Sequence, residues 1–287
     1  SPNDVLGHGT HVAGIIGGKL NGANTYNGVA PDSTLWNLKV LDNTGHGSES
    51  WIIAGINYAV DPDNNPATDD GVDIINMSFG GPYTDPNSPI VAAVEATIQQ
   101  GVVVVIASGN CGPGCPSGDC QGFVGVETPG DSLNAITVGA VDDASQWACF
   151  SSGGFVNNGL TLKPDVVAPG VNISSSSLNS SIATLSGTSM AAPHVSGMVA
   201  LLLQSSPSIS PQNVKDILEQ TASDFGDPGK DSKYGSGLID ASQLLPSSVL
   251  TFLKYKLFLS ANVVDKGLPV SFTIPSSAAD VQSITLD

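Results

Sequence analysis

Three short segments carry residues whose chemistries complement one another. Gly7-His8-Gly9-Thr10-His11 supplies an imidazole, Ala107-Ser108-Gly109-Asn110 a carboxamide, and Gly187-Thr188-Ser189-Met190-Ala191-Ala192-Pro193 a hydroxyl. A serine at the start of a helix lies where backbone N–H groups point at developing negative charge. A neutral histidine can take its proton, and an amide side chain can donate to the oxyanion formed when a carbonyl is attacked. The set suits acyl transfer. Rival chemistries fit less well. His8 and His11 form an H-x-x-H pair, but no glutamate stands between them and no third zinc ligand is suggested. Ser189 by itself would read as a helix cap, and Gly187-Thr188-Ser189-Met190-Ala191 lacks the second glycine of a nucleophile elbow. The side chains of His11, His46 and His194 read as packed structural residues.

Further segments agree with the first three: Leu38-Lys39-Val40-Leu41, Asn76-Met77-Ser78-Phe79-Gly80-Gly81, Pro164-Asp165-Val166-Val167-Ala168-Pro169-Gly170 and Tyr234-Gly235-Ser236-Gly237-Leu238-Ile239. In this order, from about Asn3 to Leu245, the chain resembles the subtilisin-like serine proteases, the subtilases. The resemblance implies a serine endopeptidase with His8 as general base, Ser189 as nucleophile, and the Asn110 side chain with the Ser189 N–H as oxyanion hole. Gly45-His46-Gly47 and Ser78-Phe79-Gly80 match the segments that pair with an extended substrate, and Ala107, Ser108 and Gly109 join them in substrate binding. Such pairing reads backbone before side chains, so broad specificity on protein or peptide substrates is implied, with no cofactor for catalysis. Losing the amide donor of such a site costs about 10²–10³ in turnover, so Asn110→Ala should cripple the enzyme without unfolding it. The alternative is a non-catalytic homologue that binds extended peptides without turnover.

One departure weighs against the agreement. The family's order is Asp, His, Ser, with the Asp about thirty residues ahead of the His. Only seven residues precede His8, and Asp4, the sole acid among them, belongs to the histidine motif's own lead-in. The expectation is a chain lacking the N-terminal strands and the catalytic Asp, inactive or poorly folded alone. An N-terminal segment or propeptide held non-covalently would then be a natural partner.

These residues need rigid elements to hold them. Thr34 to Leu41, Val72 to Met77, Val102 to Ala107 and Ala135 to Val141 read as strands; Glu49 to Val60, Ile90 to Gln100, Met190 to Gln204 and Pro211 to Thr221 read as helices. Gly101 can end the second helix, and Ser210 before Pro211 forms a start signal. The alternation predicts parallel strands with helical crossovers. The resemblance implies the same class, an α/β three-layer domain with a mostly parallel sheet at 1–245. Residues 246–287 read as a linker and a short β segment: Leu253, Tyr255, Leu257 and Leu259 alternate with Lys254, Lys256 and Phe258, too few to bury a core.

Composition narrows the partners. The 26 acidic residues are 22 Asp and 4 Glu, the nine basic residues are all Lys, and the net charge is −17. That balance argues against nucleic acid and against anionic membranes. No apolar run reaches 18 residues, and Ser1-Pro2-Asn3-Asp4 has no signal-peptide character. Cys111, Cys115, Cys120 and Cys149 suit two disulfides in a secreted, extracellular protein, and lack the C-x-x-C spacing of a zinc site. Of three connectivities, Cys115–Cys120 with Cys111–Cys149 is the expected one. Asp61-Pro62-Asp63-Asn64-Asn65 followed by Asp69 opens like a calcium loop but lacks the EF-hand glycine and glutamate. A structural calcium on Asp61, Asp63, Asn65 and Asp69 competes with a solvated acidic turn.

Overall fold

The computed structural model describes residues 4–19, 27–68 and 70–244. Asp69 and the alternating segment at 246–287 lie outside them. In chain order the elements are α1 (His8–Gly17), α2 (Glu49–Val60), β1 (Ile74–Met77), α3 (Pro89–Gln99), β2 (Val103–Ala107), β3 (Ile136–Val141), the hairpin β4 (Gly154–Val156) and β5 (Thr161–Lys163), β6 (Val166–Pro169), the hairpin β7 (Ile173–Ser177) and β8 (Ser181–Leu185), α4 (Thr188–Ser205), α5 (Pro211–Thr221) and α6 (Ala241–Leu244).

Strands β1, β2, β3 and β6 form a parallel sheet in the order β1-β2-β3-β6. All five residues of β2 are buried, as expected of a strand covered on both faces. Val104 and Ile106 join Ile52 and Ile56 of α2 and Ile90 and Val94 of α3 in one core. By the two-residue period, Val103, Val105 and Ala107 face the other way, toward α4, which packs across all four strands, with α1 packed on α4. The result is helix, sheet, helix. Serine hydroxyls cap three of the helices, from Ser48 to the Trp51 N–H, Ser88 to Val91 and Ser210 to Asn213. Gly101, at φ +98°, ends α3 as anticipated.

Two elements differ from expectation. Thr34 to Leu41 is not a strand: residues 34–37 are exposed, and no strand lies beside them among the described residues. A strand exists only when another supplies its hydrogen bonds. The segment instead borders an open hollow of about 460 Å³ lined by residues 37–42 and Trp51. Conversely, the glycine-rich α1 was not foreseen. Its start is held by Asp4, whose Oδ1 accepts from the Leu6 and Gly7 amides and whose Oδ2 accepts from the Thr10 amide and hydroxyl.

The disulfides are Cys111–Cys120 and Cys115–Cys149, correcting the expected pairing. The loop after Asn110 doubles back, with the Ser117 amide on the Asn110 carbonyl and the Cys120 amide on the Ser117 carbonyl, so Cys120 returns to Cys111. The Gly114 and Cys115 amides both donate to the Cys149 carbonyl, which sets Cys115 beside Cys149. Behind the sheet, Asp165 is buried among three ammonium groups: Lys163 at 2.7 Å, Lys230 at 2.9 Å and Lys215 at 3.1 Å. Burial would raise its pKa, but the three cations drive it far below the usual carboxylate range.

Candidate active site

Ser189 is the second residue of α4, where the backbone amides of the first turn have no helical acceptor. Four residues on stands Pro193, inside the helix and without an N–H. The Ser189 carbonyl therefore lacks its helical donor, and the Ser78 hydroxyl replaces it at 2.9 Å. The Ser189 hydroxyl returns the contact, donating to the Ser78 carbonyl at 3.0 Å. Ser78 is steadied by Asn76 Nδ2 at 2.9 Å, and Asn76 Oδ1 accepts from the Ser196 hydroxyl at 2.8 Å. A chain of polar groups thus joins β1 to two successive turns of α4 around the serine.

Asn110 follows the end of β2. Its Oδ1 accepts from the Thr188 amide at 3.0 Å and the Thr188 hydroxyl at 3.2 Å, and the Gly109 amide donates to that same hydroxyl at 3.2 Å. With Oδ1 engaged, Nδ2 is the donor left over. A Cβ on Gly187 would stand 3.5 Å from Asn110 Oδ1, 3.6 Å from its Nδ2 and 3.7 Å from the Ser189 amide nitrogen. Both donors border one small volume, as an oxyanion pocket requires. The Asn110 backbone is anchored in turn, its N–H on Glu127 Oε1 at 2.7 Å.

His8 opens α1 and is half-buried. Burial first, and the neighbouring His11 second, push its pKa below 6.5, while the Asp4 charge opposes them. Its ring is therefore neutral at pH 7, the form a general base needs. Among the described residues no side chain hydrogen-bonds that ring. Asp4 is occupied by the α1 amides, so its carboxylate caps the helix instead of orienting the imidazole. His11, fully buried, places Nε2 between the Ile173 and Ala183 carbonyls at 3.0 and 3.1 Å and fastens α1 to the β7–β8 hairpin. His194 Nδ1 donates to the Met190 carbonyl at 2.8 Å.

The three segments expected to meet substrate lie apart in the chain. Ser78, Phe79 and Gly80 follow β1, Ala107 ends β2, and Ser108 and Gly109 follow it. Between them runs residues 127–128: the Glu127 amide donates to the Ser108 carbonyl at 3.0 Å and the Gly81 amide to the Thr128 carbonyl at 2.8 Å. Gly45-His46-Gly47 forms an exposed turn closed by Asp42, which accepts from the Thr44 and His46 amides. A Gly45 Cβ would lie 3.4 Å from Leu6 in the loop ahead of His8. Of the calcium candidates, Asp61 and Asp63 join Asp70, with carboxylate oxygens within 4.8 Å of one another; Asn65 instead donates its amide to both Asp61 and Asp63. Thr188 and Asn76 stand in the segments quoted above but were assigned no role there, and Glu127 lay in no motif of the sequence.

A family model described as the subtilase family matches residues 1–237. The chain is similar to subtilisin DY of Bacillus licheniformis, 39% identical over 237 residues, covering 83% of this chain and 77% of that protein. It is similar also to subtilisin of Bacillus pumilus, 41% identical with 83% and 76% covered. M-protease of Shouchella clausii is 40% identical over 241 residues, or 84% of this chain and 55% of that longer protein.

Proposed function

The chain belongs to the subtilase family of serine proteases, and from that premise we propose that it hydrolyses peptide bonds through an acyl-enzyme on Ser189. The Ser189 hydroxyl leaves the Ser78 carbonyl and passes its proton to neutral His8 as its oxygen attacks the substrate carbonyl. The tetrahedral oxyanion takes hydrogen bonds from Asn110 Nδ2 and the Ser189 amide. Protonated His8 then gives its proton to the departing amine, and water repeats the sequence to free the acid. The observation that carries this reading is the engagement of Asn110 Oδ1 by Thr188, which turns Nδ2 toward the volume that the Ser189 amide also borders.

Among the described residues no carboxylate hydrogen-bonds the His8 ring, and the triad would need such an acid from elsewhere. Its natural seat is the free edge of β1, which has a strand neighbour on one side only among the described residues. Without that carboxylate, turnover is lower by about 10⁴. This is the one observation that favours the non-catalytic, peptide-binding reading. The two disulfides support an extracellular setting, and no helix among the described residues is long and apolar enough to cross a membrane. Calcium would act structurally, held by Asp61, Asp63 and Asp70, whose mutual repulsion a divalent cation relieves; a chelator that leaves the thermal midpoint unchanged would remove it.

A fluorophosphonate probe tests the central claim. The full chain is expected to be labelled at Ser189, and Ser189→Ala to abolish the label. Absence of label together with absence of peptide hydrolysis, even after an Asp-bearing N-terminal segment is added, would leave only the peptide-binding reading.

A further inference from the structure

Glu127 is half-buried, and it lies between the two segments read as flanking the substrate. A Cβ on Gly109 would come within 2.5 Å of its carboxylate, and one on Gly80 within 3.0 Å of its Oε2. Only the absence of side chains at both glycines lets the acid fill that place. One carboxylate oxygen also lies within 4.8 Å of both sulfurs of the Cys111–Cys120 disulfide, which forms a third wall. Oε1 accepts the Asn110 amide. Oε2 has no hydrogen-bond partner among the described residues, and no lysine among them pairs with Glu127. Asp119 adds a second negative charge nearby, and burial with that charge raises the Glu127 pKa. A carboxylate kept in a cleft without a cation is poised for one that arrives from outside.

From this juxtaposition we infer that Glu127 is a specificity-determining residue, selecting substrates with lysine or another long cationic side chain on the residue whose carbonyl is attacked. The inference rests on the protease reading of the cleft. The reach is right. Glu127 bonds the backbone of the residue whose side chain donates to the oxyanion, and a lysine ammonium extends about 6 Å from its own Cα. The ammonium would meet Oε2 while the carbonyl faces Asn110 Nδ2. A charge-assisted hydrogen bond of this kind amounts to about tenfold or more in affinity.

The test uses the full chain with Ser189→Ala, so that bound peptides stay intact, and isothermal titration with acetylated tetrapeptide amides that differ only in ending in lysine or norleucine. Lysine is expected to bind about tenfold tighter. Glu127→Gln, which keeps an acceptor for the Asn110 amide, is expected to bring the two within about twofold. Equal affinities before the Glu127 change, or a lysine preference that survives it, would overturn the inference. If Glu127→Gln fails to fold, the lysine-to-norleucine ratio without it still decides. Fluorophosphonate labelling of the unaltered chain is read in parallel: label without lysine preference defeats this inference alone, whereas neither label nor binding of any peptide defeats the protease reading as well.

Discussion

At the scale of single residues, Ser189, the proposed nucleophile, owes its position to a missing hydrogen bond. Pro193 leaves the Ser189 carbonyl to Ser78, so Ser78→Ala strands a carbonyl in a largely buried place. It is expected to lower stability by about 1–3 kcal/mol in a denaturant titration and to slow labelling of Ser189, whose hydroxyl loses a fixed neighbour. Asn110 has two duties that one substitution can separate. Asn110→Ala removes both the oxyanion donor and the acceptor for Thr188, whereas Asn110→Asp keeps the acceptor. Both are expected to cut turnover by about 10²–10³, but only the alanine variant should also lose about 1 kcal/mol as an uncapped helix start does. The pH dependence follows from the direction of two shifts. His8 titrates below 6.5, so base-assisted labelling should be full at pH 7 and fall only as the pH drops beneath 6.5. Burial raises the Asp4 pKa, yet the bonds from Thr10, Gly7 and Leu6 outweigh it and hold the pKa at about 2. Its support of α1 is therefore present above pH 3.8 and is lost as the pH falls toward 2.

Among the elements, the Asp165 cluster joins pieces far apart in sequence. Asp165 Oδ2 accepts the Thr137 amide of β3, Lys163 ends β5, Lys215 comes from α5, and Lys230 bridges on to Glu219. Asp165→Asn leaves three cations without their common partner and is expected to cost about 3–5 kcal/mol, read as a large fall in the thermal midpoint. The elements also divide by how readable they were. Helix α5 announces itself through Ser210 and helix α3 through the Gly101 that ends it, because caps are local interactions between near neighbours; the Ser48 and Ser88 caps of α2 and α3 came only with the structure. Strand β2 is readable because a strand covered on both faces must be apolar throughout. Helix α1 is not legible in the sequence, since its stabiliser, Asp4, stands four residues ahead of its first residue and its interior is rich in glycine. Residues 34–41 were misread because alternation reports a face but cannot supply a neighbouring strand. The cysteine pairing was misread because spacing does not say that residues 117–120 turn back on Asn110. His8, Asn110 and Ser189 stood in recognisable segments, whereas Glu127 is one carboxylate in a loop, given meaning only by the two glycines that three-dimensional folding brings to it.

Across the whole molecule, a net charge of −17 makes the chain repel itself. Raising ionic strength to about 0.15 M, where charges are screened beyond about 8 Å, should raise the thermal midpoint in a salt titration without any specific ion. The cations that remain are placed unevenly. Six of the nine lysines fall among the described residues; Lys163 and Lys215 are buried, and Lys230 is turned onto Asp165. Lys19, Lys39 and Lys233 are left on the outside, and the sequence contains no arginine at all. A protease that selects a cationic residue at the cut is its own most concentrated substrate. Sequestering lysines around one carboxylate while omitting arginine makes such an enzyme a poor target for itself. Of the lysines among the described residues, self-digestion of a concentrated sample should take Lys19, Lys39 or Lys233 first, and the fragments' termini in a mass spectrum would show it; the lysines around Asp165 should stay uncut until the fold has opened.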